Sequence, residues 1–247
     1  ENHCRQIGLA VTGKEKIPMV NELTQGVVAQ CLGQAAKPTL TLEDEIPGRP
    51  PVMCAGCPHR GVFYTLAKNK CTVLGDIGCY TLGAVAPLNA MEMTLCMGAS
   101  ISGIHGFNKA LGEKSEGKTV AVIGDSTFMH SGMTGLANAV FNHHDLLLVV
   151  LDNGTTAMTG HQPNPGMLQE MLGDMSVHMD MEAVVRGLGV TECVKVKAFN
   201  LKAVTKALEE MKGKSGVRVL IAEEPCVLLS KFGGTEPPTT SPTRLTK

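Results

Sequence analysis

Three segments of the chain are apolar but for Thr119 and Arg218: Thr119 to Ile123, Leu146 to Leu151 and Val217 to Ala222. A strand with one face in water alternates polar and apolar positions, and these do not. They predict strands buried on both faces, the signature of a parallel sheet covered by helices. Thr72 to Asp76 and Val194 to Val196 read as shorter strands. The segments between carry the longer helical period. Leu201, Val204, Leu208 and Met211 stand at i, i+3, i+7 and i+10 and predict an amphipathic helix over 201–211. Ser131 to Asn142 and Glu182 to Leu188 read as helices, and the small residues of Met97 to Leu111 suit a helix packed tightly on a sheet. The expected class is α/β, with a doubly wound, mostly parallel sheet.

Before this core the pattern weakens. A short helix is expected from Pro18 to Leu32, then an extended stretch from Pro38 to Pro51 broken by Pro47, Gly48, Pro50 and Pro51. Residues 1–51 are therefore a lead-in and linker, and 52–232 the folded domain. Residues 233–247, with three Pro and six Thr or Ser, are expected to be a flexible tail or an arm laid on a partner.

Composition narrows the function classes. In 247 residues, 22 Lys and Arg balance 23 Asp and Glu, which argues against a binder of nucleic acid or other polyanions. The absence of Trp, with two Tyr and six Phe, disfavours a base-stacking surface. No apolar run approaches the ~20 residues of a bilayer span, so no membrane association is expected. The opening Glu1-Asn2-His3-Cys4-Arg5 has no signal-peptide pattern and no initiator Met, the mark of a fragment or a processed product. Nine cysteines, an odd number without a secretory signal, point to reduced thiols and metal ligands in the cytoplasm.

Candidate chemistry sits where the buried strands end. Gly124-Asp125-Ser126 follows one, and Asp152-Asn153-Gly154-Thr155 follows the next. Ligands of open α/β sheets bind at the carboxyl ends of the strands. Asp125 and Asn153 are 28 positions apart, one strand–helix–strand unit, so neighbouring strands would aim both side chains into one crevice. A carboxylate, an amide oxygen and a backbone carbonyl such as that of Thr155 suit Mg²⁺ or Ca²⁺. Singly, either tripeptide is more often a turn than a site. Cys54 and Cys57 form C-x-x-C, Cys79 follows a strand, and Cys226 follows the last one. Four thiolates suit Zn²⁺ or a [4Fe–4S] cluster, and spacing does not choose between them. Cys4, Cys31, Cys71, Cys96 and Cys193 read as small buried apolar groups. Among the histidines, His59 is a candidate substrate-side group or an ordinary helix-start residue, and His161 and His130 are candidates or ordinary surface residues. His143 and His144 suit a helix C-terminus, and His105 a satisfied core position.

The Gly-Asp-Ser, the Asn153 that follows it, Thr155-Thr156-Ala157-Met158-Thr159-Gly160-His161-Gln162, Cys54-Ala55-Gly56-Cys57-Pro58-His59-Arg60 and Gly75-Asp76-Ile77-Gly78-Cys79-Tyr80 together resemble the 2-oxoacid:ferredoxin oxidoreductase family. The likeness is greatest to the thiamine diphosphate domain of the indolepyruvate-type large subunit, over about residues 18–232. The resemblance implies oxidative decarboxylation of a 2-oxoacid to acyl-CoA, with electrons passed to iron–sulfur clusters and then to ferredoxin. It implies that Asp125, Asn153 and the Thr155 carbonyl hold Mg²⁺ against the diphosphate. It places Asp76, Ile77, Gly78, Cys79, Gly98, Gly124, Ser126 and Ala157 along the cofactor, with Met97 where relatives carry a His. It selects [4Fe–4S] for Cys54, Cys57, Cys79 and Cys226. No catalytic residue is assigned: the activating Glu is expected on a pyrimidine-side domain which, like a ferredoxin-like one, would belong to a partner in a hetero-oligomer. Two alternatives use parts of the same pattern. A non-oxidative thiamine-dependent decarboxylase half needs the Asp125/Asn153 site but no cluster. A zinc-binding interaction module needs only the cysteines.

Overall fold

A computed structural model of the chain describes residues 1–38, 45, 47–167 and 178–229; the tail from 233 lies outside them. It divides into two units, Glu1–Arg49 and Pro50 onward. The first holds two short helices, α1 (Asn2–Gln6) and α2 (Gln25–Cys31). The helix expected from Pro18 begins only at Gln25. Asn21 takes a positive φ of 69°, and the Thr24 hydroxyl caps the helix by accepting from the Val27 N–H at 3.3 Å.

The second unit opens with α3 (Pro58–Lys68), followed by β1 (Thr72–Gly75), β2 (Met93–Thr94), α4 (Ala99–Leu111) and β3 (Thr119–Gly124). Then come α5 (Asp125–Thr127), an irregular π turn over Phe128–Gly132, α6 (Met133–Phe141) and β4 (Leu146–Asp152). The chain continues through α7 (Met181–Gly187), β5 (Glu192–Lys197), α8 (Leu201–Lys212) and β6 (Val217–Glu223). All six strands are parallel, in the order β2-β1-β3-β4-β6-β5.

The apolar runs are explained by what covers them. Along β3 and β4, Val120, Val122, Leu147, Val149 and Leu151 pack on one side with Phe63 and Leu66 of α3 and Leu208 and Met211 of α8. Ala121, Ile123, Leu146, Leu148 and Val150 pack on the other with Ile101 and Ile104 of α4, Leu136 of α6 and Val185 of α7. Alternate residues feed two cores, so every position is apolar. The helices are set by caps the sequence carries: Asn200 accepts from Ala203 N–H, and Asp180 from Ala183 N–H at 2.7 Å.

The helix read as Ser131–Asn142 in fact begins at Asp125, directly on the end of β3, and the one read from Met97 begins at Ala99. Helices α1 and α3 and the two-residue strand β2 were not anticipated. Among the described residues no helix is long and apolar enough to cross a membrane.

Candidate active site

From β1 the chain goes to β2 on one side, then returns to β3 on the other, so the order reverses between β1 and β3. Binding crevices form at such switch points, at the carboxyl ends of the strands. Here a cleft of about 600 Å³ lies over the ends of β1, β3 and β4. Its walls include Ile77, Gly78 and Cys79 after β1, Asp125 and Ser126 after β3, and Asn153, Thr155 and Ala157 after β4. Gly124 and His59 also line it.

Asp76 and Gly98 join the loop after β1 to the start of α4. The fully buried Asp76 carboxylate accepts from the N–H groups of Ile77 (2.7 Å), Gly98 (2.8 Å) and Ser100 (3.3 Å) and from the Ser100 hydroxyl (3.1 Å). It thereby caps α4 and ties the β1 loop to that helix. Gly98, with φ 89°, is the left-handed residue that lets α4 start there; a Cβ on it would meet Ser131 Oγ at 2.7 Å.

The floor is made by Tyr80, which the sequence did not single out. Its hydroxyl donates to Ile77 O (2.9 Å) and lies 3.2 Å from Thr127 Oγ1. A Cβ on either Gly78 or Gly124 would stand 2.4 Å from its ring. Both glycines are thus required for backbone to lie flat against Tyr80 and face the cleft.

Asp125 is buried, and burial, followed by the charge of Asp152, pushes its carboxyl up to about 7. Among the described residues its side-chain donor is the Asn164 amide at 3.0 Å, another contact absent from the sequence reading. No cation among the described residues offsets it. Asn153 is 6 % exposed; its Oδ1 accepts from Thr155 N–H at 3.2 Å, and its amide nitrogen lies 3.4 Å from His59 Nε2. Among the described residues, the buried Thr155 hydroxyl has no hydrogen-bond partner. Burial holds His59 down to about 4, so its ring is neutral.

The cysteines converge beside this cleft. Burial pushes the Cys57 thiol up to about 12, with Cys226, Cys54 and Cys79 each adding to the effect. The Cys79 and Cys226 thiols are raised by burial first and then by charge on others of the set. Gly56, at φ 75°, turns the C-x-x-C so that a Cβ there would touch Val227 at 3.5 Å, and Cys226 N–H donates to Asn153 O at 3.0 Å. The four thiols are therefore within electrostatic reach of one another. Among the described residues, however, no three Cys, His, Asp or Glu side chains are gathered tightly enough for one metal ion. A tetrahedral Zn²⁺ at Zn–S of about 2.3 Å needs sulfurs roughly 3.8 Å apart.

The remaining candidates scatter. His161 and His130 do not line the cleft; His130 Nδ1 lies 2.9 Å from Ser131 Oγ. His143 and His144 do follow a helix end, but their backbone N–H groups do the capping, on Val140 O and Ala139 O. His105 is buried against Gly135 O and the His144 ring, yet its Nδ1 has no partner, so it is only half satisfied. Cys96 is exposed, against expectation; Cys71 and Cys193 are buried.

Comparison with known proteins decides the family. Residues 76–222, more than half of the chain, match the family model described as thiamine pyrophosphate enzyme, C-terminal TPP binding domain. The chain belongs to that family. The indolepyruvate oxidoreductase subunit IorA of Archaeoglobus fulgidus is 39% identical to this thiamine pyrophosphate enzyme domain over 249 residues, covering 93% of the chain. That of Thermococcus kodakarensis is 37% identical over 245 residues, covering 89%. The chain spans only 39% and 38% of those relatives. A solved 2-oxoglutarate:ferredoxin oxidoreductase from Magnetococcus marinus superposes with a TM-score of 0.60 at 18% identity, over 73% of the chain and 66% of its own, a likeness of fold.

The cleft fits the family's cofactor. The orphaned Thr155 hydroxyl, the flat glycine backbone at 78 and 124, and a buried carboxyl lacking a cation are what a diphosphate carrying a divalent ion would complete.

Proposed function

We propose that this chain is the thiamine diphosphate-binding part of a 2-oxoacid:ferredoxin oxidoreductase acting on arylpyruvates such as indolepyruvate. The observation that carries the reading is the gathering of four thiols beside the cofactor cleft, with Cys79 belonging to both. A non-oxidative decarboxylase has no use for that set. In the proposed reaction a 2-oxoacid and coenzyme A give an acyl-CoA, CO₂ and a proton, and two electrons leave one at a time for ferredoxin. Bound thiamine diphosphate would supply the electron sink for decarboxylation.

The chain's own residues would bind and position. Asp125, Asn153 and the Thr155 carbonyl would hold Mg²⁺, a set of hard oxygen donors. Ile77, Gly78, Gly124, Ser126 and Ala157 would line the cofactor, with Asp76 and Gly98 fixing the loop after β1. Cys54, Cys57, Cys79 and Cys226 would ligate a [4Fe–4S] cluster. Burial and mutual repulsion hold these thiols protonated, and a cluster bound as thiolates would supply the positive charge that lets them ionise together. Residues 52–232 form the cofactor domain in this reading, and 1–51 lead into it. The activating Glu and the onward clusters belong to other domains or subunits of a cytoplasmic hetero-oligomer.

The test is turnover by the complete assembly containing this chain, under anaerobic conditions with indolepyruvate, coenzyme A and a viologen dye. Acyl-CoA formation matched by dye reduction is expected. An aldehyde product without dye reduction would favour the decarboxylase reading.

A further inference from the structure

His59 is far in sequence from the strand ends, yet it is 4 % exposed and reaches the cleft from the first turn of α3. Among the described residues, the hydrogen-bond contact of its side chain is the Asn153 amide nitrogen, 3.4 Å from Nε2. The orientation of that amide is settled by its other end. Thr155 N–H donates to Asn153 Oδ1 at 3.2 Å, and a backbone donor demands oxygen there, so nitrogen must face His59. His59 Nε2 is then the acceptor and its proton sits on Nδ1. The ring has little freedom to do otherwise. It stands edge-on to Tyr80 with centroids 6.1 Å apart at 83°, and Tyr80 is itself anchored on Ile77 O and packed against Gly78 and Gly124.

We infer that His59 is the positioning residue of the cation site: by accepting from the Asn153 amide it keeps Oδ1 turned toward the metal. This assigns His59 a role other than a substrate-side group, and it rests on the Mg²⁺–thiamine diphosphate reading of the site. It also gives the placement of His59 a reason. His59 lies two residues after Cys57, and Cys226 N–H donates to the Asn153 backbone carbonyl at 3.0 Å, so Asn153 is held at its side chain and at its backbone by segments that carry the thiols. Thr155 N–H holds Oδ1 at one end and His59 holds the N–H₂ at the other; without the second restraint the amide turns its N–H₂ toward the cation more often. Partners that orient a metal ligand typically change metal affinity 10- to 100-fold when removed.

The probe is Mn²⁺, which reports binding by loss of its free-ion paramagnetic resonance signal, titrated with thiamine diphosphate into the purified assembly. His59→Leu, similar in bulk and without an acceptor, should weaken Mn²⁺ binding by about tenfold or more. His59→Gln, whose Oε1 can accept from the same amide, should restore it to within about threefold, while iron content is the same in both variants. In an Asn153→Asp background the carboxylate has no N–H to orient, so adding His59→Leu should change Mn²⁺ affinity no further. Wild-type affinity in His59→Leu would overturn the assignment. So would equal losses in the Leu and Gln variants, which would mark a purely steric role. Absence of thiamine diphosphate-dependent Mn²⁺ binding in the wild type would instead overturn the cofactor reading, and this inference with it.

Discussion

Replacing Asp125 with Asn should move stability and cofactor binding in opposite directions. In the metal-free protein the Asp125 carboxyl has a folded value of about 7 against an ordinary 3.8, because burial and then Asp152 disfavour its charge. A raised carboxyl value means that the folded state holds its proton more tightly than the unfolded state. The penalty for ionised Asp125 is therefore absent below about pH 4, grows as pH rises, and is complete above about pH 7. At 1.36 kcal/mol per pH unit the gap corresponds to at most about 4 kcal/mol. Asn keeps an acceptor for the Asn164 amide but buries an N–H₂ of its own, which returns about 1–3 kcal/mol. The metal-free Asp125→Asn protein should thus be about 1–3 kcal/mol more stable at pH 7.5, or roughly 2–4 °C in Tm for each kcal/mol. The gain should vanish by about pH 4.5. Mg²⁺ with thiamine diphosphate should raise the wild-type Tm and leave that of the variant unchanged, since ligands stabilise only the state that binds them. Thermal unfolding at both pH values, with and without the ligands, decides it. A variant no more stable than wild type at pH 7.5, or equally favoured at both pH values, would refute the electrostatic argument. A variant that still gains from the ligands would remove Asp125 from the site.

Three further outcomes follow from single side chains. Gly124→Ala puts a methyl 2.4 Å from the Tyr80 ring, and should destabilise the protein by about 1–3 kcal/mol in urea unfolding while weakening thiamine diphosphate binding. Arg218 is 3 % exposed, pairs with Asp145 at 2.7 Å and donates to the carbonyls of Met211 and Lys214. Arg218→Met should cost about 1–3 kcal/mol, mainly through the carbonyls left unpaired, since Asp145 can turn to water; denaturant titration reads it. Cys226→Ala should remove the iron while leaving thiamine diphosphate bound, measured by metal and cofactor analysis of the anaerobically purified protein.

The sheet was legible because its central strands are buried on both sides, which leaves Val120–Ile123 and Leu146–Leu151 without a polar residue. The Asp125/Asn153 pair was legible because both follow such strands directly. Other parts depend on contacts distant in sequence. Nothing local marks Tyr80 as a floor, or Asn164 as a donor to a carboxylate 39 positions away. Helix α3 was hidden by Pro58 and Gly61, although Pro at the first helical position is itself a start signal. Strand β2 is two residues long, too short for any periodicity. The π turn at Phe128–Gly132 lets α5 run on into α6, and a reading by apolar period alone starts that helix six residues late. Resemblance set Asp76 and Gly98 along the cofactor; no local pattern shows that the buried Asp76 carboxylate is satisfied by four donors, the Gly98 N–H among them.

The central claim is that one chain places a thiolate-bound iron–sulfur cluster beside a thiamine diphosphate cleft. Its most direct measurement is the content of iron, acid-labile sulfide, zinc and thiamine diphosphate in this chain, expressed without other cluster-bearing domains and purified without oxygen. The account predicts four iron, four sulfide and one thiamine diphosphate per chain, with no zinc. Thiamine diphosphate without iron, or one zinc per chain held by these cysteines, would contradict it.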